Sequence, residues 1–415
     1  MTETLLPGKA KAVSGMDSGA KAILFRCLEQ IQTGALIIEE SFAPAGHTHQ
    51  YVFGDAHNQP LQAHICVDHP GLYKRILKGG SIAAAEAYID GWWEADDLTK
   101  VMHLMAQNLN ALDAFEDQSS WWVTRLYKLA HWLKNNSVHR ARKNIHAHYD
   151  LGNEMYRLFL DEKMLYSSGI FRHDNTSLEE AQEHKMGRLC EQLQLKASDH
   201  VLEIGTGWGA MAVYMAKHYG CRVTTTTISD AQYDYAKSAV KAAGVEEQVT
   251  LLKQDYRCLE GQFDKLVSIE MIEAVGKAYL PVFIQQCHSL IKPGGLMALQ
   301  MITIADQRLD YYARNVDFIQ KYVFPGGFLP SVTALLTQMT RHSRMVVRDI
   351  KDIGLDYATT LNHWRERFES RLEEVRALGY DESFIRMWRY YLCYCEGGFL
   401  SRGISTVQMT FEKQQ

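Results

Sequence analysis

This sequence has no Cys-x-x-Cys pair, no unbroken apolar run of membrane-spanning length, no excess of basic charge and, between residues 118 and 149, no acid at all. Its eight cysteines are scattered, and only Cys393 and Cys395 stand close together. That spacing argues for reduced thiols and against a disulfide frame or a zinc site, so no metal is expected. No stretch approaches the roughly 18 to 20 apolar residues of a membrane span, and the amino terminus lacks the apolar core of a signal peptide. The expectation is a cytoplasmic protein whose membrane contact, at the inner face, is peripheral. The 44 Lys and Arg set against 49 Asp and Glu leave a formal charge of −5. Nothing global attracts nucleic acid, and none is expected as a partner. Attraction to anions has to be local.

What is there divides the chain into three parts. Residues 1–117 read as a small amino-terminal domain: a polar, disordered start to about residue 20, a helix at 21–32, strands at 34–40 and 61–67, and a helix at 70–77. The pair Trp92 and Trp93 is read as core filling rather than a ligand surface. No catalytic constellation stands out in this part. Residues 118–147 carry Arg125, Lys128, Lys134, Arg140, Arg142 and Lys143. Trp121, Trp122, Leu126, Leu129 and Leu133 recur at roughly helical spacing. This is an amphipathic helix and basic linker that docks on protein or on an anionic membrane surface.

Residues 148–415 are organised around VLEIGTGWGA at 201–210. A buried-strand run ends in Gly205, Gly207 and Gly209, and a helix follows over 208–219. A strand, glycine turn and helix bring backbone N–H groups and a helix amino terminus to one place, where a phosphate, ribose or carboxylate can bind. The turn also fits the dinucleotide fingerprint, but the second strand, 222–227, ends in threonines where a dehydrogenase needs a ribose-binding acid. Glu203, two residues before the first glycine, instead fits the acid-x-Gly-x-Gly-x-Gly pattern of methyltransferases using S-adenosylmethionine (SAM). Further strands at 249–254, 263–270 and 296–303 alternate with helices at 177–193, 230–243 and 278–291. This predicts an α/β fold, a doubly wound, Rossmann-like parallel sheet with its ligand at the carboxyl ends of the strands. Residues 304–331 and two later helical stretches, 357–377 and 384–395, are rich in aromatics, as a lid over an apolar substrate would be. Residues 408–411 read as a last edge strand.

From about residue 144 onward the chain resembles the cyclopropane-fatty-acid synthases and their mycolic-acid methyltransferase relatives. The resemblance is carried by HYDLGN (148–153), YSSGIF (166–171), the glycine loop, TTISDAQYDYA (226–236), QDYR (254–257), SIEMIEAVG (268–276), KYVFPGGFLPS (321–331), LDYATTL (355–361) and YYLCYCEGGFLSR (390–402). It implies a class I SAM methyltransferase with a helical acyl-binding lid. Gly205, Gly207 and Gly209 would then lie in the SAM loop with Glu203, Tyr166 and Ser167 over the methionine end, Thr227 and Gln232 at the ribose, and Tyr256 at the adenine.

The resemblance also implies a bicarbonate ion near the transferred methyl, held by a Cys, a Glu, a His and a Tyr. Glu273 and Tyr357 match two of these. Ser168 stands where the Cys is usual and Gln300 where the His is usual, and neither supplies the ionised partner that Cys or His could. Glu270 competes with Glu273 as the organising carboxylate, but the matched pattern selects Glu273. The implied reaction adds a methylene group from SAM to the cis double bond of unsaturated phospholipid acyl chains at an anionic membrane surface, giving a cyclopropane. The alternative is a methyl-branched unsaturated product. A homodimer is compatible with all of this.

Overall fold

A computed structural model of the chain describes residues 15–42, 49–109 and 152–415. The basic stretch 118–147 and residues 148–151 of HYDLGN lie outside the described residues. Two compact units form, one from Met1–Tyr127 with Asp381–Ser401, the other from Lys128–Tyr380 with Arg402–Gln415.

In the amino-terminal unit, β1 (Ala35–Glu40) is paired antiparallel with β2 (His49–Gly54) and parallel with β3 (Gln62–Val67), which pairs antiparallel with β4 (Trp93–Ala95). The helix Gly15–Leu28 begins earlier than its sequence pattern indicated. The helix Leu72–Ile89 runs on well past residue 77, through a break at Gly80 whose φ of 62° and ψ of −149° only glycine adopts readily. Trp93 is buried and its indole donates to the Ala84 carbonyl at 2.9 Å. Trp92 is only half-buried, stacked 4.0 Å from His69 and 4.6 Å from the Arg75 guanidinium, so one of the pair fills core and the other lines the surface.

The helix Glu382–Leu400 groups with this unit, whereas its place in the sequence assigned it to 148–415. Its Arg386 donates to the Tyr88 carbonyl at 2.7 Å and pairs with Glu94 at 2.6 Å, and its buried Glu396 accepts from the Thr99 hydroxyl at 3.0 Å. A Cβ at Gly397 would come within 2.6 Å of the His103 backbone nitrogen, so only glycine permits this helix crossing.

The carboxy-terminal unit holds a seven-stranded sheet in the order β10-β11-β9-β8-β5-β6-β7. Its strands are β5 (His200–Ile204), β6 (Arg222–Thr227), β7 (Val249–Lys253), β8 (Phe263–Ile269), β9 (Ile291–Ile304), β10 (Met345–Asp352) and β11 (Ile404–Lys413). The five from β9 to β7 run parallel, while β11 lies antiparallel to β9 and β10 antiparallel to β11. The sheet is thus Rossmann-like but mixed, and β11 is an inner strand with β10 outside it. Edge position was the natural reading of a carboxy-terminal strand, since nothing local announces that β10 covers it. Helices Leu178–Gln192, Ala210–Tyr219, Asp230–Ala243 and Leu280–Leu290 pack on the sheet around two clusters of buried apolar residues. Strand order reverses direction between β5 and β8, and such a switch point opens the crevice in which α/β proteins bind ligands.

Candidate active site

Both strands at the switch point end in unusual backbone. After β5 come Gly205, Gly207 and Gly209 with φ of 99°, 54° and 95°. Gly205 and Thr206 both donate their amides to the Thr226 carbonyl at 3.1 Å, which ties the loop to β6. A Cβ at Gly209 would meet Ala236 Cα at 3.2 Å, whereas one at Gly207 would meet no protein atom within 4 Å. Gly209 therefore serves helix packing, and Gly207 leaves backbone open to a ligand. The helix Ala210–Tyr219 starts directly behind, directing its amino terminus at the same place. On β6, the Thr227 hydroxyl donates to Gln232 Oε1 at 3.0 Å and accepts the Ser229 amide at 3.1 Å, so the two expected ribose-side residues are held together. Tyr256 follows β7 half-buried, its ring edge-on to Phe283. These features fit SAM: open backbone at a helix start, paired polar groups beyond the next strand, and an aromatic beyond the third.

Glu203 is buried in this wall. Its carboxylate accepts from Thr225 at 2.6 Å, and Thr225 meets the Thr206 hydroxyl at 2.7 Å, so the acid supports the glycine loop from behind. Burial pushes its pKa up, against the Thr225 hydrogen bond and the charge of Lys185. Lys185 is fully buried on the helix Leu178–Gln192 and donates to Ser167 Oγ at 2.7 Å. Burial pushes that ammonium down, while Glu270, Asp161 and Glu203 pull it back up. A lysine in an amphipathic helix reads as solvent-facing, and no sequence signal marked this one. Tyr166, half-buried, is surrounded by rings: Trp364 stacked at 5.2 Å, Tyr156 at 5.3 Å, and Phe159 and Phe324 each at 6.4 Å.

After β8 the chain turns at Glu270, a non-glycine residue with φ of 48°. Its Oε1 accepts from the Ser168 amide at 2.9 Å and from Gln300 Nε2 at 2.9 Å, and its Oε2 accepts from the Tyr357 hydroxyl at 2.8 Å. Burial raises its pKa, opposed by these three donors and by Lys185. Glu273 takes a different path. Its Oε1 accepts from the Ile302 amide at 2.5 Å, its other oxygen is buried without a partner among the described residues, and its carbonyl accepts from the Phe328 amide at 2.9 Å. Burial, and then the like charge of Glu270, pushes Glu273 up to about 8. Of the residues expected to gather around Glu273, then, Ser168, Gln300 and Tyr357 gather around Glu270. The Ser168 hydroxyl itself turns away to the Gly169 carbonyl at 2.9 Å. The aromatic segment 305–331 reaches this place through Phe324 and Phe328, as a lid would, though it is built of short turns and the π-helical Ile319–Val323.

Residues 136–409 match the family model described as mycolic acid cyclopropane synthetase. The chain is 39% identical over 365 residues to the cyclopropane-fatty-acyl-phospholipid synthase of Escherichia coli K12, across 87% of this chain and 90% of that one. It is 37% identical over 353 residues to the tuberculostearic acid methyltransferase of Mycobacterium tuberculosis, across 83% of this chain and 81% of the relative. A solved mycolic acid cyclopropane synthase complexed with SAH and CTAB aligns with a TM-score of 0.62 at 27% identity, over 66% of this chain and 98% of that one. On the family match over residues 136–409 and these identities, the chain belongs to the mycolic acid cyclopropane synthetase family and is a SAM-dependent methyltransferase.

Proposed function

We propose that the protein transfers a one-carbon unit from SAM to the cis double bond of an unsaturated phospholipid acyl chain and closes it to a cyclopropane. The observation that carries this reading is the pairing of a ring cluster with a buried carboxylate cluster: Tyr166, with Trp364 and Phe324 around it, is two residues from Ser168, whose amide donates to Glu270, and the Phe324 segment meets Glu273 through Phe328. When bound, SAM supplies an electrophilic methyl on a sulfur that is already a good leaving group. The protein's own residues then have to align, dry and deprotonate rather than attack. Open backbone at Gly207, with Thr227 and Gln232, would hold the nucleoside, and Tyr166 would cover the methionine end. Ring faces beside a positive charge on the chain contribute about 0.5 to 2 kcal/mol each by cation–π attraction. An alkene offers no polar handle, so an aromatic wall is the recognition it allows.

A methyl-branched unsaturated product is the second reading, and one observation favours it. The carboxylate cluster includes Glu270, held by three donors in one fixed position, and a base so fixed would select which C–H bond is broken. The two relatives above carry names for different products, so product class comes down to analysis of lipids. Mass spectrometry and NMR of phospholipids from cells expressing this chain should show either cyclopropane or methyl-branched acyl chains at the expense of unsaturated ones. Unchanged lipids, with folded protein present, remove the acyl-chain reading.

Access to such a substrate requires a membrane surface. No helix among the described residues is long and apolar enough to cross a membrane. The reading therefore rests on the basic stretch 118–147, acting peripherally on anionic lipid. Replacing Arg140, Arg142 and Lys143 with Gln should weaken binding to anionic vesicles by about 1 kcal/mol per cation, and salt should weaken the unaltered chain in the same sense. Binding indifferent to both reduces the stretch to a linker.

A further inference from the structure

Three donors from three distant parts of the chain meet on one side chain. The Ser168 amide, the Gln300 side-chain amide and the Tyr357 hydroxyl all point at the Glu270 carboxylate, at 2.9, 2.9 and 2.8 Å. Gln300 is wholly committed, since Nε2 also donates to the Ser168 carbonyl at 3.1 Å and Oε1 accepts from Gln408 at 2.9 Å. Glu270 reaches this place from a left-handed backbone conformation that favours glycine, and its side-chain bonds are what hold it there. The bicarbonate ion implied by the family resemblance does not fit this arrangement. Positions 168, 300 and 357, matched to its ligands, already serve a carboxylate, and a second anion would meet like charge in a buried site. Neutral Gln300 and the averted Ser168 hydroxyl offer it no positive partner.

We infer that the Glu270 carboxylate is the general base of the methyl-transfer reaction, a tethered replacement for a free bicarbonate ion. This rests on the proposed acyl-chain substrate for its chemistry, though not for its geometry. After the new carbon has joined the chain, the neighbouring chain carbon is positively charged. One C–H bond then breaks, either on the added methyl or on a chain carbon beside the charge: its proton forms an O–H bond with Glu270, and its electron pair closes the ring in the first case or forms a double bond in the second. Glu270 passes from carboxylate to carboxylic acid and returns the proton to solvent once product leaves. Tyr357 and Gln300 are positioning residues that keep the base ionised and aimed.

The test uses the full chain with vesicles of cis-unsaturated phospholipid in carbon-dioxide-free buffer, and NMR of isotope-labelled bicarbonate as an independent readout of binding. Native turnover should be the same with and without added bicarbonate, and the native chain should bind none. Glu270→Gln should lose roughly 100-fold or more of turnover while keeping its SAM affinity. Glu270→Gly, which suits the left-handed backbone, should lose as much, bind bicarbonate, and recover turnover when bicarbonate or formate is added. Bicarbonate binding to the native chain, several-fold stimulation by it, or near-native turnover of Glu270→Gln overturns the inference. If the native chain methylates no unsaturated phospholipid, it is the substrate reading that has failed. The NMR comparison then decides the Glu270 site alone: binding by Glu270→Gly and not by the native chain supports it, and the reverse overturns it.

Discussion

The two sides of the crevice are built on opposite principles. On the β5–β6 side the working parts are backbone and short side chains: the open backbone at Gly207, and Gly205, Gly209, Thr227 and Gln232, these four partnered within a few residues or on the adjacent strand. On the β8–β9 side they are long polar side chains, and Glu270 is bonded to partners 102, 30 and 87 residues away in sequence. A side that grips a constant ligand can be made from a local motif, because backbone geometry repeats. A side that sets where a proton goes depends on one atom's position, which only packing of distant segments fixes. Lys185 links the two, since its charge acts on both Glu203 and Glu270.

Removing that link should have the largest effect. Lys185→Met leaves Glu203 and Glu270 buried without the cation that favours their charged forms, at a cost of about 3 to 5 kcal/mol by analogy with broken buried ion pairs. Both acids already have raised pKa values in the folded state, and the substitution raises them further. A raised carboxyl pKa contributes stability at low pH that is lost as pH rises through the folded value. The deficit of Lys185→Met should therefore be greatest in alkaline buffer and shrink on acidification. Denaturant midpoints at several pH values measure it, and a deficit that grows toward acid contradicts the account.

Within the glycine loop, two neighbours should fail differently. Gly209→Val forces a β-branched residue to φ of 95° and presses it on Ala236, at a cost of roughly 2 to 4 kcal/mol of stability. Gly207→Val has free space for its side chain and a left-handed backbone near 54°, so its loss of stability should be smaller and its loss of SAM affinity larger. Calorimetric SAM titration beside thermal melting separates the two. Native SAM affinity in a folded Gly207→Val variant would remove the loop from the cofactor site.

The contrast between the sides also explains what could be read from sequence. The glycine loop, the helix Asp230–Ala243 with its Ser229 cap, and the alternation from β5 to β9 were legible because each is a local pattern of apolar spacing, capping and turn residues. Glu270 was passed over in favour of Glu273 because the matched motif, SIEMIEAVG, carries no information about which carboxylate Tyr357 meets. β4, three residues long, and β10, largely exposed, lack enough alternation to register. That the helix Glu382–Leu400 groups with the amino-terminal unit was not legible for a similar reason. Its buried Glu396 meets Thr99 across 297 residues, and chain order gives no hint of that.

The smallest effect should be a shift in pH dependence. A general base works only when ionised, so turnover should fall as pH drops through the Glu270 pKa, which burial lifts above the ordinary carboxylate range. The groups that act on it are known: Lys185, Gln300, the Ser168 amide and Tyr357 favour the ionised form, and Glu273 is the like-charged neighbour. Tyr357→Phe deletes one donor to Oε2 without changing the ring. It should raise the Glu270 pKa and move the acid limb of the pH–rate profile upward by roughly one unit, the scale of a hydrogen bond to a charged group. The plateau rate, where Glu270 is ionised in both proteins, should change far less than in Glu270→Gln. Glu273→Gln should behave otherwise. Burial makes Glu273 hold its proton more tightly than an ordinary carboxyl, and glutamine preserves its acceptor to the Ile302 amide, so the limb stays in place. If instead Glu273→Gln moves the limb and Tyr357→Phe does not, the titrating base is Glu273, and Glu270 only holds the loop.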